Sequence, residues 1–290
     1  MGLKRRSFLK LLGVTGMTLA IGEVGAATPT VPDKDVEFNG ILYDATRCKG
    51  CRSCEFDCAE AHGLPEPKAA KEIAAVRKTD ETCNTVVNTY NTDKGKVFIK
   101  RQCMHCNEPA CAAACLTKAM FKNKTGPVTW DADKCMGCRY CMVSCPFDSP
   151  KFEYHSANPK IQKCDMCFER LKTEESPACV YNCPNEALLY GKRRDMIKEA
   201  RRRIYEKPDL YVDHIFGEHE AGGTGWLYLS PVPFNQLGFN TSMQQSSYPE
   251  LTKGFLYTVP SVFVLVPTLL LGIHQATKNK NLKEEKEDEQ

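Results

Sequence analysis

The sequence predicts an α+β fold assembled from short strand–cysteine loop–helix units, with one transmembrane helix near the C-terminus. Three observations predict it. Sixteen of the 17 cysteines fall into four groups of four. Runs of β-branched and aromatic residues lead into three of those groups. Residues 254–273 form an uncharged apolar run of twenty residues, enough for one bilayer crossing.

The cysteine groups carry the chemistry. Cys135, Cys138, Cys141 and Cys145, followed by Pro146, have the C-x2-C-x2-C-x3-C-P spacing of a [4Fe–4S] ligand run. Three thiolates three positions apart lie on one tight loop that can wrap a cube. The fourth is expected to start a helix and to point toward a neighbouring cluster. Gly137 is expected to let the backbone approach closely. Cys48, Cys51, Cys54 and Cys58 repeat the spacing, and Cys103, Cys106, Cys111 and Cys115 widen its middle gap. In Cys164, Cys167, Cys179 and Cys183, eleven residues separate the second and third ligands, and Pro184 follows. Zinc usually takes two well-separated pairs, whereas two groups here crowd four thiols into eleven residues. A disulfide framework is the other alternative for an exported chain. Four groups in a row favour iron–sulfur over both.

At 290 residues the chain has room for one large or two small domains. With 17 cysteines and 17 prolines it is poor material for a large aliphatic core, and the clusters are expected to act as internal cross-links. The formal charge is +3, but residues after 26 balance at 35 cations and 35 anions, so bulk charge suggests no nucleic-acid partner.

In chain order, residues 1–26 read as a signal peptide. Lys4-Arg5-Arg6-Ser7-Phe8-Leu9-Lys10 precedes a short uncharged stretch and then Val24-Gly25-Ala26. The arginine pair with Phe8, Leu9 and Lys10 resembles the twin-arginine export motif, although Lys4 stands where Ser or Thr is commoner. That route carries folded proteins, which suits a chain loaded with clusters in a reducing cytoplasm. Strands are expected over 36–47, 96–102 and 126–130, with a further apolar run at 187–190. Their recurrence with a cysteine loop and a short helix is an internal repeat. Residues 60–95 form a polar insertion without a cluster motif, in which Cys83 reads as a spare or buried thiol.

Several chemistries are excluded or unsupported. There is no C-x-x-C-H for attached haem, no G-x-G-x-x-G after a strand and no G-x-S-x-G. His62, His105, His155, His214, His219 and His274 are scattered and read as structural or solvent-facing. Arg47, Lys49, Arg52, Arg101, Arg139 and Lys163 crowd the loops, where cations would raise the potential of an anionic cluster. Residues 192–207 form a basic helix with a solvated face, docking on an acidic partner being the alternative. Residues 208–250 read as an extended strap over partner subunits. The apolar run follows, with Lys253 at one end and Lys278, Lys280 and Lys283 at the other. The basic end is expected to be cytoplasmic, with the cysteine domain outside. Pro260 and Pro267 lie on nearly one helix face and suggest packing against other membrane helices, a lone lipid anchor being the alternative. The tail 278–290 is charged and expected to be disordered.

Together these residues resemble the four-cluster iron–sulfur subunits of membrane respiratory oxidoreductases, in particular the hydrogenase 2 type of [NiFe] hydrogenase. The formate dehydrogenase beta subunit is similar. The resemblance rests on the order of the four groups, Ile41-Leu-Tyr-Asp44, Gln102-Cys-Met-His-Cys106, Cys138-Arg-Tyr-Cys-Met-Val143, Gly222-Gly-Thr224 and the C-terminal apolar run. An own twin-arginine signal favours the hydrogenase type. Leu116 departs from the proline that many relatives carry after this cysteine.

The resemblance implies two nested ferredoxin-like modules within residues 27–191 and four [4Fe–4S] clusters with crossed ligands. Cys48, Cys51 and Cys54 would share a cluster with Cys183, and Cys164, Cys167 and Cys179 with Cys58. Cys103, Cys106 and Cys111 would pair with Cys145, and Cys135, Cys138 and Cys141 with Cys115. It further implies the basic helix and strap over 192–250, a transmembrane helix over 251–277, and a cytoplasmic tail over 278–290. The expected function is electron transfer without catalysis by this chain alone. Electrons would pass from a hydrogenase (or molybdopterin) subunit to an integral membrane quinone- or haem-binding subunit. The expected location is the inner membrane, single-pass, with the iron–sulfur domain on the periplasmic face. A formate dehydrogenase, polysulfide reductase or menaquinone-reductase type complex is the alternative.

Overall fold

The computed structural model describes residues 37–69 and 76–287. The twin-arginine segment lies outside them. The first strand, β1 (Asn39–Asp44), is the centre of a three-stranded sheet. Between it and the far edge of that sheet come α1 (Ser53–His62), the hairpin β2 (Val86–Thr92) and β3 (Gly95–Arg101), and α2 (Ala110–Ala113). The hairpin β4 (Met120–Lys122) and β5 (Val128–Trp130), α3 (Tyr140–Val143), and the two-residue strands β6 (Lys151–Phe152) and β7 (Ile161–Gln162) follow. Then come α4 (Phe168–Lys172), α5 (Ala178–Tyr181), β8 (Leu188–Lys192) and α6 (Arg193–Glu206). Last are β9 (Trp226–Leu229) and α7 (Tyr248–Glu287).

β1 pairs antiparallel with β8 and parallel with β9. Its side chains alternate between two buried faces, as the period of two demands. Ile41 and Tyr43 enter an aromatic core with Trp226, Tyr228, Phe216, Phe234 and Phe239. Leu42 faces Leu227, Leu229 and Ala200 on the opposite side. There α6 closes the sheet with Met196, Ile197, Ala200 and Ile204, which recur at helical spacing. A separate small core holds Met120, Val128 and Ile161 around Cys111.

Two expectations are extended and two are corrected. Part of residues 208–250, read as a strap over partner subunits, is built into this chain's own sheet: Trp226, Leu227, Tyr228 and Leu229 are all fully buried in β9. A strand buried on both faces shows no alternation, and its partner β1 is remote in sequence. The polar insertion 60–95 supplies β2, which completes the hairpin with β3. The fourth cysteines do not start helices. Cys58 sits inside α1, and Cys115, Cys145 and Cys183 follow the one-turn helices α2, α3 and α5. The charged tail continues α7 to Glu287 instead of losing structure. Its Lys- and Glu-rich composition has high helix propensity.

Residues Tyr248–Gln275 of α7 are long and apolar enough to cross a membrane, and no residue of an 18-residue apolar window within them is buried against the rest of the chain. Pro260 and Pro267 both lie within it.

Candidate metal centres

Each C-x-x-C loop makes the same local turn. The residue before the second cysteine is left-handed in all four: Gly50 (φ 71°), His105 (φ 50°), Gly137 (φ 71°) and Met166 (φ 62°). Arg52 and Arg139, just after the second cysteine, are left-handed as well. Left-handed residues in a tight turn gather successive N–H groups into one concavity, the nest found at many anion and Fe–S sites. Gly137 has no protein atom within 4 Å of where its Cβ would stand, so within the chain it is the left-handed φ that calls for glycine. At Gly50 a Cβ would also run into the Phe98 ring. With Leu116 the turn after Cys115 matches those at Pro146 and Pro184.

The fold brings the sixteen cysteines into four neighbourhoods. Cys48, Cys51, Cys54 and Cys183 line one cavity with Tyr43, Val87 and Leu188. Burial pushes the Cys179 thiol up to about 12, against Lys100, and Cys58 and Cys167 add to the rise. Cys164 is raised by burial and then by Cys58. Cys106 is raised by burial and then by Cys103, Cys145 and Cys111. Burial lifts Cys141 to about 11, with Cys115, Cys135 and Cys138 contributing. The sets also lie in a series of charge neighbours: Cys54 is acted on by Cys179, Cys164 by Cys103, and Cys111 by Cys141. Cys51 and Cys138, in the first and last sets of this series, are exposed, whereas all four cysteines of the second set are buried. Cys83 stands apart, donating to the Thr85 carbonyl at 2.9 Å.

These donors fit [4Fe–4S] clusters. Four buried thiols that repel one another as anions need a cationic centre to hold them deprotonated, as metal ligation does. A second sign is His105, which is fully buried between Cys103 and Cys106. Its Nδ1 accepts the Val128 N–H at 2.9 Å, so Nε2 carries the proton, and that N–H has no protein acceptor. A sulfide-bearing group is the kind of acceptor such a donor suits.

The loop cations divide on inspection. Arg52 is buried and pairs with Glu55 at 2.7 Å; burial pushes Glu55 up, but Arg52 and Arg77 hold it below its ordinary value. Lys163 is buried and donates to the carbonyls of Val128 and of Cys164, the latter at 3.0 Å. Arg101 stacks on Phe239, 3.6 Å from the ring centre, while Lys49 is exposed. Sequence reasoning missed Lys100, which is buried in β3, and Lys122, which donates to the carbonyls of His105 and Cys106 at 3.0 and 2.8 Å. The signal for Lys100 is a lysine in an apolar strand just before a cysteine loop. His62 has Nε2 2.7 Å from Asp165 Oδ1 and Nδ1 2.9 Å from the Cys58 carbonyl.

Residues 94–193 match a family model described as a 4Fe-4S dicluster domain. The chain is 48% identical over 287 residues to a protein of Nitratidesulfovibrio vulgaris (strain Hildenborough), spanning 95% of this chain and 77% of that one. It is 32% identical to the hydrogenase-2 operon protein HybA of Escherichia coli O157:H7, over 81% of this chain and 83% of that protein. The chain belongs to the ferredoxin-type [4Fe–4S] iron–sulfur subunits. The formate dehydrogenase iron–sulfur subunit of Haemophilus influenzae is 28% identical over 99% of this chain and 93% of that one. Like these relatives, the chain is an iron–sulfur electron-transfer subunit of an oxidoreductase complex.

Proposed function

We propose that this iron–sulfur subunit conducts electrons between a periplasmic [NiFe] hydrogenase subunit and a membrane subunit that binds quinone or haem. When bound, [4Fe–4S] clusters supply one-electron redox chemistry. The chain would hold four of them. Cys48, Cys51, Cys54 and Cys183 hold the first, and Cys58, Cys164, Cys167 and Cys179 the second. Cys103, Cys106, Cys111 and Cys145 hold the third, and Cys115, Cys135, Cys138 and Cys141 the fourth. The observation that carries this reading is the serial proximity of the sets as charge neighbours, Cys54 with Cys179, Cys164 with Cys103 and Cys111 with Cys141. An unbroken series with an exposed cysteine in each terminal set is what a conductor between two partners needs.

The nested arrangement is supported by the sheet. β1 and β8 pair across the chain, and the hairpins β4–β5 and β6–β7 lie between them in sequence. Every donor set is complete, so no iron is left for substrate, and the chain alone catalyses nothing. The fourth-set loops expose Leu116, Met136, Tyr140 and Val143, an apolar face suited to a partner. The start of α7 is tied to the third-set loop, where the Ser247 hydroxyl donates to Glu108 Oε2 at 2.6 Å. This end therefore faces the membrane partner, and Cys51 marks the end for the catalytic subunit. The lysines after residue 277 hold the C-terminal side in the cytoplasm, and the twin-arginine signal exports the domain to the periplasm.

Replacing Cys106 by Ser in the intact complex tests the reading. Hydrogen-to-quinone electron flow should collapse while dye-linked hydrogenase activity of the partner survives. Undiminished quinone reduction would refute the conductor. The similarity to a formate dehydrogenase subunit favours a second reading with a molybdopterin partner. The catalytic subunit that copurifies after gentle detergent extraction separates the two.

A further inference from the structure

Lys100 is 1% exposed, and no ion pair among the described residues includes it. Its Nζ lies 2.6 Å from Thr85 Oγ1, 3.2 Å from Gln102 Oε1 and 4.8 Å from the centre of the Trp226 ring. All three partners present electron density. The Thr85 hydroxyl spends its proton on the Arg101 carbonyl, so it can only accept from Lys100. The Gln102 amide donates its N–H to the Tyr228 hydroxyl at 2.6 Å, which leaves its carbonyl oxygen for Lys100. A neutral amine would have to aim its lone pair at one of these acceptors or at the indole face. The geometry therefore calls for an ammonium with every N–H directed at electron density.

A buried charge is retained only against a compensating charge. The buried carboxylate of Glu55 is already taken by Arg52 and Arg77. The thiols whose charge, once they are deprotonated, acts most on Lys100 are Cys179, Cys164 and Cys58 from the second set and Cys54 from the first. Its position is fixed from outside the cysteine loops, since Tyr228 donates its hydroxyl to the Lys100 carbonyl at 3.0 Å.

We propose that Lys100 is the shared counter-cation of the first and second clusters and raises the reduction potential of both. The proposal rests on the cluster reading above. A fixed positive charge favours the reduced and more negative state of each cluster, and its effect is large where water is excluded. One side chain thus sets two consecutive steps of the conductor together, since the thiols whose charge acts most on Lys100 belong to the first and second sets.

The test uses the full complex prepared anaerobically, with iron and acid-labile sulfide counted before a potentiometric titration followed by electron paramagnetic resonance. Lys100→Met and Lys100→Gln remove the charge, and Gln can still donate to Thr85. Lys100→Arg keeps the charge. Two of the four potentials should fall together in the neutral variants, with the other two unchanged and all four retained in Lys100→Arg. Four unchanged potentials in a loaded neutral variant would overturn the proposal, as would a shift in one cluster alone. An equal fall in Lys100→Arg would overturn it too. Loss of clusters in both neutral variants but not in Lys100→Arg supports a requirement for charge; loss in all three shows a requirement for shape and overturns it. Wild-type complex without iron would instead strike the cluster reading itself.

Discussion

Asp44 Oδ2 accepts a hydrogen bond from Arg203 Nη1 at 2.8 Å, and both side chains are buried. The pair joins the end of β1, which feeds the first cysteine loop, to the helix that covers the sheet. Asp44 also receives the Tyr211 hydroxyl at 2.8 Å and the Thr46 hydroxyl at 2.6 Å. Removing one partner of a buried pair typically costs about 3–5 kcal/mol, because the other charge is left behind. Arg203→Met should therefore lower the temperature at which the cluster absorbance is lost. Arg202→Met, on the exposed face of the same helix, should leave it unchanged. Equal melting of the two variants would show that the pair contributes nothing.

Gly50 and Gly137 share a left-handed φ of 71° but differ in their surroundings. Gly137→Ala meets no other protein atom and costs the strain of a left-handed residue, roughly 1–2 kcal/mol. Gly50→Ala adds the collision with Phe98. The second variant should melt lower and carry less iron per chain than the first. The same content and melting temperature in both would mean that Phe98 moves aside freely.

His105→Leu should destabilise the hairpin β4–β5. It removes the acceptor of the buried Val128 N–H, and an unsatisfied buried donor costs about 1–3 kcal/mol. Faster hydrogen exchange at Val128 and its neighbours is the readout. Unaltered exchange there would show that water or another acceptor takes the place of Nδ1.

A chain ended after Glu250 should stay in the aqueous fraction without detergent and keep the iron content of the full chain. No residue of the apolar window within Tyr248–Gln275 is buried against the domain, so its removal is expected to uncover no core. Loss of iron in the soluble product would show that the helix supports the fold and does not merely place it.

The sequence alone determined the local chemistry. Ligand spacing, the apolar run and the basic helix are properties of neighbours in the chain, so composition and period reveal them. It also made the start of the sheet legible, because Ile41, Leu42 and Tyr43 lead straight into the first loop. Only tertiary structure decided which loops stand together, because Cys58 meets Cys164 and Cys179 by contacts remote in sequence. Likewise β9 became a strand only by pairing with β1, and the Lys100 side chain became buried only when Trp226 and Thr85 closed around it. Local spacing fixes what a loop can bind, while burial and charge depend on partners that the chain brings from far away.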